Sequence, residues 1–123
     1  MTGVKVVDAS AVAALLFGEP EAEAIAERLE GARLAAPSLL DFELANVCLT
    51  KMRRQPGERD ALLAAFRLAQ TLRVERIAVD HAVSLDLAEA TGLSAYDASY
   101  LWLSRTLRGE LVTLDRKLMA ASA

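Results

Sequence analysis

Four acidic residues stand at the ends or near the starts of apolar segments, where an isolated charge is costly. They are Asp8, Glu43, Asp97 and Asp115. If the fold brings them together, they form a site of several carboxylates with no histidine or thiol. Such a site would be unstable alone, because like charges repel at close range. A hard divalent cation that prefers oxygen ligands removes that conflict.

Three of the four acids also have a plain structural interpretation. Asp8 can cap the helix that follows it, and Ser10 can do the same or hold Asp8 through its hydroxyl. Asp97 completes a capping box with Ser94. Asp115 can pair with the next residue, Arg116, or cap the last helix. None of these signals is specific taken singly.

Glu43 lacks such a role. The residues one helical turn after it offer no basic partner. The nearby pair Ser38 and Asp41 fits a capping box, which gives Asp41 a structural purpose. A fifth acid, Asp80, immediately precedes a helix and is assigned to capping. Thr113 carries a hydroxyl that can be donated to a neighbouring carboxylate.

Short β-branched runs alternate with longer helical segments along the chain. The expected strands cover residues 4–7, 33–36, 74–79 and 110–114. The expected helices cover residues 9–17, 21–30, 38–54, 59–72, 80–92, 94–107 and 116–121. This alternation predicts βαβ crossovers and a mostly parallel sheet covered on both faces. In open α/β sheets ligands bind beyond the carboxyl ends of strands, where Asp8 and Asp115 stand.

The composition fits one globular domain spanning residues 1–123. Hydrophobic residues make up 54% and charged residues 25% of the chain, which argues against disorder. The net charge is -3, so contact with nucleic acid must come from local basic patches. The single cysteine, Cys48, cannot form an internal disulfide. No apolar run is long enough for a membrane helix, and a signal peptide is not expected. We expect a cytoplasmic protein with no membrane association.

Four ordered motifs make a specific combination. They are VVDASA at 6–11, PSLLDFELAN at 37–46, SAYDASY at 94–100 and LVTLDRKL at 111–118. In these motifs the chain resembles PIN-domain proteins, specifically the VapC-type toxins of bacterial and archaeal toxin–antitoxin pairs. The resemblance extends over nearly the whole chain.

The resemblance implies a three-layer α/β/α fold whose central, mostly parallel sheet has strand order 3-2-1-4. The family commonly has a fifth strand, which is not clear in this sequence and is left open. It also implies that Asp8, Glu43, Asp97 and Asp115 are the catalytic, metal-binding acids. Ser10 and Thr113 are then supporting hydroxyls.

The implied activity is that of an endoribonuclease dependent on Mg²⁺ or Mn²⁺, leaving 5′-phosphate and 3′-hydroxyl ends. The implied partners are an RNA substrate, a cognate VapB-type antitoxin and a second copy of the chain. Antitoxin contacts are expected from apolar surface within residues 11–17 and 39–49. Two basic clusters are candidates for holding RNA, with a solvated surface as their alternative role. One contains Lys51, Arg53 and Arg54, and the other contains Arg105, Arg108, Arg116 and Lys117.

Two other functions are compatible with parts of the pattern. A catalytically silent PIN-like module would bind RNA or a protein without cutting, although it would not need all four acids. A receiver-like signalling domain would need a phosphorylated aspartate after a middle strand and a late lysine. Asp80 and Lys117 are the only candidates for those two positions, and the proline expected beside the lysine is missing.

Overall fold

The computed structural model of the chain describes residues 3–123. Those residues form one parallel sheet of four strands in the order β3-β2-β1-β4. The strands are β1 (Val4–Val7), β2 (Arg33–Pro37), β3 (Val74–Ile77) and β4 (Glu110–Val112). The predicted fold and strand order are therefore confirmed. The fifth strand that was left open is not found among the described residues.

Seven α-helices within residues 3–123 flank the sheet. They are α1 (Ala9–Leu16), α2 (Ala22–Leu29), α3 (Leu39–Arg54), α4 (Arg59–Arg67), α5 (His81–Thr91), α6 (Ala95–Leu107) and α7 (Arg116–Ser122). Short 3₁₀ turns at Pro56–Glu58 and Leu68–Thr71 complete the connections. In the described part of the chain, no helix combines the length and apolar character needed to cross a membrane.

The strand order reverses at β1, and this reversal decides where the site lies. The chain moves from β1 to β2 and β3 in one direction, then returns to β4 on the other side of β1. Because parallel crossovers are right-handed, the helices before and after the reversal cover opposite faces of the sheet. Accordingly α1 packs against α2 and α3, while α6 packs against α5, α7 and the sheet. The carboxyl ends of β1 and β4 flank the resulting crevice.

Burial of the central strands explains why they read as apolar runs. Val6 and Val7 of β1 and Val112 of β4 are fully buried. Leu101 and Leu103 of α6 pack in the same core. A parallel strand covered on both faces needs apolar side chains on both faces, which removes the usual alternation.

Several element ends differ from the prediction. Strand β4 stops at Val112 and not at residue 114, because the Thr113 hydroxyl accepts a hydrogen bond from the Asp115 N–H (3.0 Å) and turns the chain. Strand β3 stops at Ile77, ahead of the connection to the Asp80 cap of α5. The segment predicted as one helix over 59–72 ends its α-helical part at Arg67 and continues as a 3₁₀ turn.

The capping box predicted for α3 is wrong. Ser38 has helical backbone angles and makes no side-chain capping bond. The Asp41 carboxylate instead accepts two hydrogen bonds from the Arg76 guanidinium on β3 (2.7 and 3.0 Å). Asp41 therefore belongs to a bidentate ion pair with a residue distant in sequence and not to a local cap.

Candidate active site

Asp8 is a buried carboxylate at the centre of the site. It follows β1 directly, is only 6% exposed and caps α1 by accepting a hydrogen bond from the Ala11 N–H (3.0 Å). Its other hydrogen bonds come from the Ser10 hydroxyl (2.7 Å) and from the Thr113 hydroxyl. The capping role considered for Asp8 is therefore present, and it fixes the carboxylate in place.

Ser10 and Thr113 join the two central strand ends. Ser10 donates to Asp8 and accepts from the Leu114 N–H after β4 (2.9 Å). Thr113 donates to Asp8 and accepts from the Asp115 N–H. The two hydroxyl oxygens lie 3.4 Å apart. Both hydroxyls are thus placed to orient Asp8, and together they hold the β1–α1 and β4–α7 junctions against each other.

Glu43 is half-buried on α3 and has a partner that the local sequence did not indicate. The Tyr100 hydroxyl, from α6, donates a hydrogen bond to the Glu43 carboxylate (2.6 Å). Tyr100 is almost fully buried, and burial and the neighbouring carboxylate both raise its pKa far above the ordinary value, so it stays a neutral donor. A buried carboxylate is stabilised by such a bond. Tyr100 therefore joins the site residues as a missed member.

Asp97 and Asp115 both occur in helix starts. The Ser94 hydroxyl caps α6 by accepting from the Asp97 N–H (3.0 Å), as expected from the capping-box pattern. Asp115 caps α7 by accepting from the Leu118 N–H (2.9 Å). Of the two structural roles considered for Asp115, capping is the one observed. Asp97 is half-buried and Asp115 is exposed.

Electrostatic coupling shows that the four acids share one region. Burial is the main reason that the pKa values of Asp8, Glu43 and Asp97 are raised. The charge of Asp8 further raises the pKa of Glu43 and Asp97, and the charge of Asp115 further raises that of Asp8 and Asp97. Asp8 and Asp97 each interact with the other three acids. This pattern is expected of carboxylates gathered around a common space.

The donor set fits a hard divalent cation, although the carboxylates do not form a closed cage. Across residues 3–123, no three histidine, cysteine, aspartate or glutamate side chains are already placed around one ion-sized point. Mg²⁺ usually keeps several waters and takes only one or two protein carboxylates, so an open group of acids suits it. Every side chain coupled in this group offers oxygen, which favours Mg²⁺ or Mn²⁺ over softer metals.

The two basic clusters are placed differently. Lys117 on α7 is near enough to Asp97 for its charge to lower the pKa of that carboxyl. Arg53 and Arg54 are exposed at the far end of α3, ~15 Å along the helix from Glu43. Lys51 is occupied by an ion pair with Glu19 (2.8 Å).

Two members of the second cluster are not beside the acids. Arg105 and Arg108 lie at the carboxyl end of α6, whereas Asp97 lies in its first turn. They are therefore ~12 Å or more from Asp97 along the helix axis. Only Arg116 and Lys117 remain near the acidic region, because they follow Asp115 directly.

The apolar surface expected for a partner is only partly available. Residues 11–14 on α1 are buried, and Leu15, Leu16 and Phe17 are half-buried against the core, so the expectation for 11–17 is wrong. On α3, by contrast, Phe42 is 76% exposed and Leu49 is 39% exposed. These two side chains are separated by seven residues and lie on one side of the helix.

A family model described as PIN domain matches residues 5–122 of this chain. VapC ribonuclease Mb0985 of Mycobacterium bovis is 38% identical over 120 residues, covering 92% of this chain and 87% of that protein. Ribonuclease VapC9 of Mycobacterium tuberculosis gives the same values. Ribonuclease VapC3 of Pyrobaculum aerophilum is 32% identical over 118 residues, covering 92% of this chain and 90% of that protein.

Solved structures show the same architecture. PAE2754 from Pyrobaculum aerophilum has a TM-score of 0.79 and 25% identity, covering 98% of this chain and 80% of that one. VapC20 of Mycobacterium tuberculosis, described as a sarcin-ricin loop cleaving toxin, has a TM-score of 0.65 and 21% identity. That match covers 95% of this chain and 94% of VapC20 and concerns the fold alone.

Proposed function

The chain belongs to the PIN-domain family, and from this premise we propose that it is a metal-dependent endoribonuclease acting as the toxin of a type II toxin–antitoxin pair. The observation that carries the proposal is the buried Asp8 carboxylate, held in place at the switch point of the sheet, with three further acids close enough for each to be coupled electrostatically to it. The relatives named VapC ribonuclease or Ribonuclease VapC support the same activity.

The residues that would hold Mg²⁺ or Mn²⁺ are Asp8, Glu43, Asp97 and Asp115. When bound, the ion supplies a water of lowered pKa and neutralises charge on the phosphoryl oxygens. The pKa values of Asp8, Glu43 and Asp97 are raised in part because these carboxylates repel one another. A cation beside them would offset this repulsion and favour their ionised forms, so the repulsion favours cation binding. A bound cation would therefore relieve the repulsion between these carboxylates.

The remaining site residues position these carboxylates. Ser10 and Thr113 donate to different oxygens of Asp8 and hold its plane fixed. Tyr100 holds Glu43 from the facing helix. Arg116 and Lys117 add positive charge at the rim, where an RNA phosphate would approach a protein of net charge -3. No histidine is needed, and His81 begins α5 as a helix-start residue.

We propose RNA as the substrate, the cytoplasm as the place of action, and a VapB-type antitoxin and a second copy of the chain as partners. The exposed side chains Phe42 and Leu49 of α3 give apolar surface for one of these contacts. Both side chains lie within residues 39–49, one of the two ranges from which antitoxin contacts were expected.

Cleavage of RNA with and without divalent metal tests the proposal. We expect wild-type protein to cut RNA with Mg²⁺ or Mn²⁺ and to stop when the metal is chelated. Asp8→Asn and Asp97→Asn should each lower the rate by roughly 100-fold or more, since each removes a charge that stabilises the transition state through the metal. Asp60→Asn is the matched control, because Asp60 is an exposed acid on α4 outside the site.

Equal cleavage by wild type and both site variants would refute the assignment of these acids. RNA binding by folded wild-type protein without any metal-dependent cleavage would instead favour the catalytically silent binding module.

A further inference from the structure

A cavity of about 310 Å³ adjoins the acidic site. It lies where β2 and β3 end and where α3, α5 and α6 begin. Its walls include Ser38, which precedes α3, and Leu39, the first residue of α3. His81 from α5 and Tyr96 and Ser99 from α6 complete the polar and aromatic part of the lining. Its volume is at the small end of the range for ligand pockets, which suits a single planar group.

The cavity and the acids share two helices. Tyr96 immediately precedes Asp97, and Ser99 is two residues after it. Leu39 is four residues before Glu43, so the two side chains are neighbours on the surface of α3. If the acids hold one phosphate of an RNA through a metal, the neighbouring nucleotide can therefore reach this cavity.

The lining favours a neutral aromatic group over a charged one. Tyr96 is 64% exposed, which leaves a large part of its ring free to stack. Among the described residues, no lysine, arginine, aspartate or glutamate lines the cavity, so a phosphate has no charged partner there. Ser38, whose hydroxyl makes no helix cap, and His81 supply hydrogen-bonding groups at the walls. Aromatic stacking combined with a few polar groups is how unpaired RNA bases are recognised.

We propose that this cavity binds one unpaired nucleobase next to the scissile phosphate, with Tyr96 stacking on the base and Ser38 and His81 contacting its edge. The inference deepens the proposed ribonuclease function and rests on it. It assigns the cavity a role in choosing where an RNA is cut, because a base bound there would be read by its edge, whereas a metal held by the four acids would act on the phosphate, which is the same in every nucleotide.

Mapping the cut sites in a pool of randomised single-stranded RNA tests this assignment. Wild type should show a preference at one nucleotide position beside the cut. Tyr96→Phe should keep that preference, because the ring is retained. Tyr96→Ala should lose it and cut about tenfold more slowly or worse, given the usual contribution of base stacking. Leu85→Ala is the control, since Leu85 is an exposed apolar residue on α5 outside the cavity.

Binding of a short RNA containing 2-aminopurine separates this inference from the nuclease assignment. Stacking should quench the probe with wild type and Tyr96→Phe but not with Tyr96→Ala. If wild type cuts RNA and Tyr96→Ala keeps both its rate and its cut-site preference, the base pocket is refuted while the nuclease stands. If wild type quenches the probe through Tyr96 but never cuts RNA, the nuclease assignment fails and the base pocket survives.

Discussion

At the scale of single residues, Asp8 shows that a carboxylate can cap a helix and still stand at the centre of a candidate active site. The carboxylate caps α1 and is also held by two hydroxyls, so its orientation is set before any ligand arrives. Burial would otherwise favour its neutral form, and the three hydrogen bonds oppose that effect on its pKa. A helix cap at a strand end is thus a position in which a carboxylate is already oriented to bind a ligand.

Thr113→Val tests how much this support contributes. The substitution keeps the shape of the side chain but removes the hydrogen bonds to Asp8 and from Asp115. We expect the free energy of unfolding to fall by roughly 2 kcal/mol, because the buried Asp8 carboxylate loses one hydrogen bond and the Asp115 N–H loses a second, partly buried one. Urea unfolding measures this change.

Thr106→Val on the exposed face of α6 provides the matched control and should change stability little. Equal losses for both substitutions would mean that Thr113 contributes only as an ordinary threonine and does not support Asp8.

The contact between Glu43 and Tyr100 marks the limit of residue-level prediction. Both residues stand in the motifs, yet 57 positions separate them and nothing in either helix points to the other. Local spacing can exclude a partner one turn away but cannot name one on a facing helix. A polar hydroxyl within the apolar stretch of α6 was the one available signal.

At the scale of elements, the sequence predicted every strand and the order of the helices, because burial and period carry that information. The ends were less accurate. Thr113 ended β4 early through its own hydroxyl. Ser38 has helical backbone angles and does not cap α3, and Asp41 pairs with Arg76 on β3. Such competition between local and distant hydrogen bonds depends on the assembled fold.

The connection from α6 to β4 offers a direct test of element geometry. The left-handed residue that ends α6 is Arg108, with a φ of 54°, and not the glycine that follows it. Gly109 is needed for a different reason, because an added Cβ would lie 2.5 Å from the Val4 carbonyl oxygen. The two positions therefore call for opposite substitutions.

We expect Arg108→Gly to stabilise the protein by about 1 kcal/mol, since glycine adopts positive φ without steric cost. Gly109→Ala should destabilise it by more than about 1 kcal/mol, because β1 and β4 must separate. Gly57→Ala is the control, as nothing lies within 4 Å of its added Cβ. Thermal unfolding measures all three, and a stable Gly109→Ala protein would contradict the close approach.

At the scale of the whole molecule, the proposed function requires an acidic protein to attract a polyanion. The net charge is -3, and four of the acids that contribute to it are gathered at the candidate site, so the proposed RNA binding would depend on local positive charge and on the proposed metal. Arg116 and Lys117 are next to the acids in the fold, whereas Arg53 and Arg54 lie at the far end of α3. Of the two pairs, we therefore expect only Arg116 and Lys117 to contact the phosphates beside the proposed cut.

Charge reversal separates these two pairs. Arg116→Glu with Lys117→Glu should weaken RNA binding and reduce the salt slope by about 2, one for each lost phosphate contact. Arg53→Glu with Arg54→Glu should weaken the binding only of RNA that is long enough to extend from the acids to the far end of α3. Filter binding of short and long RNA over a salt series measures both. An unchanged salt slope for the first pair would remove it from the RNA surface.

The central claim is that the four acids together bind divalent metal in one region of the protein. Calorimetric titration with Mn²⁺ tests this claim most directly. We predict saturable binding to wild type, a loss of roughly tenfold or more in affinity for Asp8→Asn and Asp97→Asn, and no change for Asp60→Asn. Wild-type protein that binds no Mn²⁺, or site variants that bind it as tightly as wild type, would contradict the account.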